Sequence, residues 1–412
     1  MALFRIFSGI FTFSLLALEV FAQGYNTNIV DELPLETDQS SGLVVYSSVL
    51  ITHNDGAGGP ALFEIDPVDA SLVREITVQD ASNVDWEDIC LDNQYLYIAD
   101  FGNNLGDRTD LRIYRVALTD YASMVGNTVT VQDTIEFSYE DQVSFTPGSS
   151  HNFDAEALIS FGDSLYIFTK HRLDAETNIY SLPKTSGTYQ ARKVGNINSQ
   201  GQISGGTYNP GSNEIVLTGY NAGTPFLLQI SNFTGTDFDG GQIDRYEITT
   251  TGSFQIEAIE AIDDEDYYFT SETRTGSSAG PATLYTANAI APNADPTISI
   301  DQPADGLTVI ESTDINFMGT ANDTEDGNIS ANIIWNSDQD GDFGTGASIN
   351  VGNLSVNTHV ITASITDSQL STVTDQINVT INPQVAEFST SAQNGPESTA
   401  SFTAAVQLAG TT

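Results

Sequence analysis

Short alternating or continuous apolar runs rich in Val, Ile, Tyr and Phe recur along the chain, separated by Gly, Asn, Asp and Pro, and helical periodicity is nearly absent. Between Ser41 and Ala289 one pattern recurs five times. Its first strand places a polar residue, a small or acidic one and usually an apolar one in order. The five versions are Ser41-Gly42-Leu43, Glu87-Asp88-Ile89, Glu156-Ala157-Leu158, Ser204-Gly205-Gly206 and Glu257-Ala258-Ile259. A second strand such as Tyr95-Leu96-Tyr97-Ile98-Ala99-Asp100 follows, then a third, and usually a fourth. Four-strand copies spaced about 46 to 69 residues apart predict the blades of a β-propeller over residues 28–290. Five blades are expected, with six as the alternative if the insertion in the second copy hides another. The last copy stops after three strands, while residues 28–33 form a strand without a blade. Pairing the two would close the ring and cover an open edge.

Beyond the step Pro292-Asn293-Ala294-Asp295-Pro296 the alternation resumes, as in Asp314-Ile315-Asn316-Phe317 and Gln376-Ile377-Asn378-Val379-Thr380-Ile381. Several short strands and one inward Trp335 predict an Ig-like β-sandwich over residues 295–382. Pro383-Gln384 then leads into residues 385–412, whose two strands are too few for a core of their own and read as a truncated third β module. At the other end, Arg5, the apolar run from Ile6 to Phe21 and the small-residue exit at Ala22 predict a secretory signal over residues 1–22. Ser8, Gly9, Thr12 and Ser14 break that run, which disfavours a membrane span. The expected location is secreted or on a bacterial cell surface, with no membrane insertion of the mature chain. Cys90 is the single cysteine, so no internal disulfide supports the fold, and it reads as a buried filler.

Charge narrows the partners. Fifty-five acidic residues against 12 basic ones give a net charge of −43, which excludes nucleic acid and anionic membranes. All the Lys and Arg lie at or before Arg274. A solvated acidic surface and carboxylates neutralised by Ca2+ both fit this balance.

The strings Asp85-Trp86-Glu87-Asp88-Ile89, Ile98-Ala99-Asp100-Phe101-Gly102-Asn103-Asn104 and Asp154-Ala155-Glu156-Ala157-Leu158 resemble exported Bacteroidetes-type propellers related to the phytase-like (esterase-like) and SdiA-regulated families. Thr324-Glu325-Asp326-Gly327 and Thr358-His359 resemble bacterial Ig-like or cadherin-like modules. Residues 385–412 resemble the start of a Calx-β module, with Glu397 at its glutamate position. The first resemblance implies a site at the propeller mouth and, through its phytase-like relatives, Ca2+-dependent phosphoester hydrolysis.

In a propeller the first strand of each blade lines the channel, so the repeat places Glu87, Glu156 and Glu257 at equivalent ring positions, flanked by Asp85, Asp88 and Asp154. These six are the candidate metal ligands. Alternatively the glutamates bond the amides of neighbouring blades, or form a catalytic carboxylate set. Second-strand ends and their loops add the candidate ligand-binding residues His53, Asp55, Asp100, Asn103, Arg108, Lys170, Tyr220 and Glu272. Gly102 and Asn103 are expected to take positive φ. In the second domain, Asp338, Asp340 and Asp342 open like a calcium loop, although Phe343 and Ile349 stand where an EF-hand needs Gly and Glu. There is no zinc-type His or Cys pair and no phosphate-cradling glycine loop. Two functions remain open. One is an extracellular binding or adhesion protein whose partner is a glycan, a small molecule or another protein. The other is a Ca2+-dependent phosphoesterase at the same mouth.

Overall fold

A computed structural model of the protein describes residues 24–56, 58–248, 255–274, 279–290, 293–388 and 406–408. The proposed signal over residues 1–22 and Glu397 lie outside them. The chain divides into two compact units, one ending at Ala291 and one starting at Pro292. No helix among the described residues is long and apolar enough to cross a membrane.

The first unit is all-β and propeller-like. It starts with β1 (Tyr25–Glu32). The first sheet runs β2 (Ser40–Tyr46), β3 (Val49–Asn54), β4 (Ala61–Ile65) and β5 (Leu72–Gln79). The second has β6 (Trp86–Leu91), β7 (Tyr95–Asp100) and β8 (Leu111–Ala117). The chain then adds β9 (Thr128–Thr130) to the outer edge of β5 and returns as β10 (Asp133–Tyr139) beside β8. The third sheet is β11 (Asp154–Phe161), β12 (Ser164–Lys170), β13 (Thr177–Pro183) and β14 (Gly187–Ile197); its last strand pairs parallel with β10, so it runs on into the second as one eight-stranded sheet. The fourth is β15 (Gln202–Asn209), β16 (Glu214–Asn221), β17 (Thr224–Ser231) and β18 (Gln242–Glu247). The fifth holds β19 (Ile256–Ala261), β20 (Tyr267–Ser271) and β21 (Thr283–Ala289). Its outer strand is β1, antiparallel to β21 with Tyr25 opposite Ala289. The N-terminal strand thus joins the last sheet, as the unpaired strand pattern suggested.

The inner strands β2, β6, β11, β15 and β19 pack on one another in cyclic order, with β19 returning to β2. An apolar core fills each gap between neighbouring sheets: Val44, Trp86 and Ile98 in the first, Phe101, Leu158 and Tyr180 in the second, Phe168, Leu217 and Phe226 in the third. Val216, Leu227 and Phe269 fill the fourth, and Leu43, Leu50 and Leu284 the fifth. Each sheet is therefore buried on both faces. That is why the second strands read as continuous apolar runs, with Leu96, Tyr97, Ile98 and Ala99 all buried. A fully buried Leu or Ile contributes about 2 kcal/mol, so the ring needs no disulfide. Cys90 is free and buried, as expected.

The second unit stacks two sheets. One pairs β22 (Thr297–Gln302), β24 (Ile315–Asp323), β25 (Gly327–Asn328) and β28 (Ser348–Val351). The other pairs β23 (Leu307–Ile310), β30 (Thr372–Asn382), β29 (Thr358–Thr366), β26 (Ile334–Ser337) and β27 (Gly341–Thr345). Strict alternation in β24 and β29 turns Phe317, Ala321, Ile361 and Ala363 inward around a fully buried Trp335, whose Nε1 donates to the Gly346 carbonyl at 2.9 Å. Past this sandwich, residues 386–388 pair antiparallel with residues 406–408.

Candidate functional site at the mouth of the ring

The pairing of every inner strand with its neighbour slips by one residue at the repeated ring position. The slip falls between Ser40 and Leu43 in β2, Trp86 and Asp88 in β6, Ala155 and Ala157 in β11, Ile203 and Gly205 in β15, and Ile256 and Ala258 in β19. A bulge re-aims the extra residue out of the pleat, and the extra residues here include Glu87, Glu156, Ser204 and Glu257. Ser41 and Ser204 use their hydroxyls to lock the ring. Ser41 Oγ donates to the Glu87 carbonyl at 2.6 Å, and Ser204 Oγ to the Ile256 carbonyl at 2.5 Å. The three glutamates turn into a polar cavity of about 90 Å³, lined also by Gln39, Asp55, Asn104, Lys170, Gln255 and Glu272.

Asp55, Asp85 and Glu87 bring one carboxylate oxygen each within 4.8 Å of the others. The space for this cluster comes from Gly102, where a Cβ would run into Glu87 Oε1 and Asp85 Oδ2. Neither Gly102 nor Asn103 has a positive φ, so the glycine serves close approach and not a left-handed turn. Asp55 Oδ1 and Glu257 Oε1 are buried without a hydrogen-bond partner, and Glu257 is only 6 % exposed. Burial, then repulsion from Asp85 and Glu257, pushes the Asp55 carboxyl up to about 8. Burial raises Glu257 to about 7 against the pull of Lys170. Glu87 is driven well above the usual carboxylate range by burial and then by Glu156 and Asp55. These groups share one small volume and lack enough positive charge to balance them.

One cation enters the cavity. Lys170 Nζ lies 2.9 Å from Glu156 Oε1 and 5.6 Å from the Tyr220 ring centroid. Burial opposes its charge, but Glu156 and Glu257 outweigh that and keep it protonated. Lys170, Asp55 and Glu272 line this cavity, and the Tyr220 ring stands beside Lys170 without lining it.

The other candidates do not reach the cavity, because strand alternation and short loops turn them into the scaffold. Asp100 is fully buried, accepting from Arg108 at 3.0 Å and from the Asp85 amide at 3.2 Å. Arg108 also donates to the Gly102 carbonyl at 2.8 Å and pairs with Asp110. Asn103 is buried between Arg108 and the Phe153 carbonyl, and its amide donates to Asp154 at 2.7 Å. Asp154 is held further by Arg172. His53 packs edge-on against Trp86, and burial lowers it to about 4, which leaves it neutral. Asp88 faces the layer below, accepting from the Ile89 amide at 2.8 Å and from Leu158 of the next sheet at 2.7 Å. It is Asp88, and not the ring glutamates, that bonds a neighbouring sheet's amide.

Sequence reading passed over Arg172 and did not single out the wall residue Asn104 from its loop. Arg172 donates to Asn104 Oδ1 at 2.6 Å, and Asn104 in turn reaches Asp85 at 3.3 Å. These partners lie far apart in the chain, and only the adjacency of two sheets could have signalled them. His171, Asp174 and Glu176 also come together at the surface, where a 2.6 Å hydrogen bond already joins His171 Nδ1 to Asp174. In the sandwich, the three aspartates of the calcium-like loop go separate ways. Asp338 accepts from the Val360 amide, Asp340 from the Ser355 amide and Asp342 from Asn336, at 2.8, 2.8 and 2.7 Å.

No protein-family model matches the chain. No curated protein matches it in sequence. Similar solved structures include the extracellular domain of a B. thetaiotaomicron protein assigned as a one-component system, with a TM-score of 0.31 at 11 % identity over 85 % of this chain and 50 % of that one. A calcium-binding regucalcin from Agrobacterium tumefaciens gives 0.34 at 12 % over 66 % and 97 %. An exo-β-1,3-galactanase from Phanerochaete chrysosporium gives 0.41 at 8 % over 87 % and 94 %. The chain spans 50 % and 60 % of the two B. thetaiotaomicron chains it matches.

Proposed function

We propose that the first unit is a five-bladed propeller whose mouth binds a divalent cation, Ca2+, and through it an oxygen-rich extracellular ligand. The carrying observation is the Asp55–Asp85–Glu87 cluster beside the partnerless, buried oxygen of Glu257. Ca2+ prefers six to eight hard oxygen ligands and tolerates irregular geometry, which suits carboxylates from several strands. Asp55, Asp85 and Glu87 would hold the ion, with Glu257 across the cavity. Lys170 on the cavity wall suits a ligand carrying carboxylate, phosphate or hydroxyl groups. On this reading the chain is exported by residues 1–22, and the Ig-like sandwich is a spacer at the cell surface.

Phosphoester hydrolysis is the second reading, and Lys170 inside the acidic cavity favours it. Arg108 and Arg172 are spent on Asp100 and Asp154, which leaves little positive charge for a phosphate. Calorimetric titration of Ca2+ into chelator-treated protein tests the first reading. Saturable binding that is lost in Asp55→Asn and Glu87→Gln supports it; no heat and no thermal shift with millimolar Ca2+ overturns it. Ca2+-dependent turnover of p-nitrophenyl phosphate that Lys170→Gln abolishes would establish the second.

A further inference from the structure

The channel has another end. One residue below the ring glutamates, the equivalent positions are Gly42, Asp88, Ala157, Gly205 and Ala258. Only Asp88 in that layer has a side chain larger than a methyl group, and it is tied to the Ile89 and Leu158 amides. Below it opens a second cavity of about 360 Å³, four times the upper one, with walls from all five inner strands. Its lining includes Leu91, Tyr208 and Pro210, which keep accessible surface, whereas Val44, Ile89, Leu158 and Ile159 are at most 2 % exposed. A volume of this order with apolar walls and a few polar groups is the ordinary form of a small-molecule site.

Its charge is one-sided. Glu260 reaches in from β19, where Oε2 accepts from Thr207 Oγ1 at 2.7 Å and Oε1 from the Val45 amide at 3.4 Å. Neither Glu260 nor Asp88 forms an ion pair with a Lys or Arg among the described residues. Lys184 stands at the rim, but it is paired with Asp92 at 3.2 Å, and Asp92 is held further by Tyr97. A half-buried carboxylate such as Glu260 beside apolar surface is stabilised most by a cation that brings its own apolar surface. The net charge of −43 also enriches cations around the molecule.

We propose that this lower chamber is a separate site for a small amphipathic amine, its ammonium on Glu260 and its apolar body against Leu91, Tyr208 and Pro210. Burial holds the Glu260 carboxyl at about 7, so the amine should bind more tightly as pH rises to 8. The site does not depend on Ca2+ at the upper mouth.

Benzylamine and its uncharged counterpart benzyl alcohol test the proposal, titrated calorimetrically into the full chain at pH 8 with chelator present. Benzylamine should saturate, and the alcohol should bind at least about tenfold more weakly, a difference of about 1.4 kcal/mol. Glu260→Gln should erase that preference, while Glu257→Gln at the upper mouth should leave it intact. Equal binding of amine and alcohol, no saturation below about 10 mM, or a preference lost in Glu257→Gln and kept in Glu260→Gln overturns the site. Should Glu260→Gln fail to fold, the amine–alcohol comparison in the unaltered protein decides alone.

Discussion

Glu257 offers the sharpest test of an uncompensated charge at the mouth. The perturbation is Glu257→Gln, which keeps the shape and removes the ionisation. In the fold the carboxyl titrates at about 7, against an ordinary value of 4.5. The folded protein thus keeps a proton that the unfolded chain has already released between those values. Folding is therefore favoured at low pH, and the advantage is lost as pH climbs through 7. At pH 8 the charged group costs the metal-free fold about 3 kcal/mol, and for a unit of this size that is about 6–12 °C in melting temperature. Differential scanning calorimetry in chelator should show Glu257→Gln melting above the unaltered protein at pH 8 and level with it at pH 4.5. Saturating Ca2+ should close or reverse the gap at pH 8, because the ion takes over the neutralising role. A variant destabilised equally at both pH values would refute the reasoning, since it would make Glu257 an ordinary structural hydrogen-bonding group.

The remaining expectations concern space, latches and the second unit. Gly102→Ala should abolish Ca2+ binding in calorimetry with little change in secondary structure, because its methyl occupies the place where Asp85 and Glu87 converge. Asp88→Ala strands the Ile89 and Leu158 amides and should lower stability by about 2–5 kcal/mol in urea melts. Ca2+ affinity should rise from pH 6 to pH 9, as Glu257 and then Asp55 lose their protons; a flat profile in titrations would remove these groups from the site. Trp335→Ala should cost about 3–5 kcal/mol in a melting transition of residues 293–388 expressed alone.

Much of the ring was legible because each repeat carries its distinguishing residue at the same bulge. Glu87, Glu156 and Glu257 are visible as a set from register alone, and so is the vacancy that β1 fills in the last sheet. Lone-pair use was not legible. Asp88 and Asp154 sit beside the ring positions in sequence, yet strand alternation turns Asp88 away from the mouth, and Asn103 and Arg172 consume Asp154. The calcium-like string at Asp338, Asp340 and Asp342 has the right residue types in a hairpin, but each side chain bonds a different neighbour. Gly102 was noticed for the wrong physical reason, conformational freedom, when its contribution is an absent Cβ.

The shared last sheet has a consequence for how the chain is made. β1 must find β21 across 260 residues, as in the Asn28–Asn288 side-chain hydrogen bond. Contacts of such separation pay their loop-closure entropy late and fold slowly. During synthesis the first strand leaves the ribosome long before its partner exists. Until residues 283–289 emerge, the last sheet lacks both its third strand and β1. The last sheet is therefore completed only near the end of the unit's synthesis.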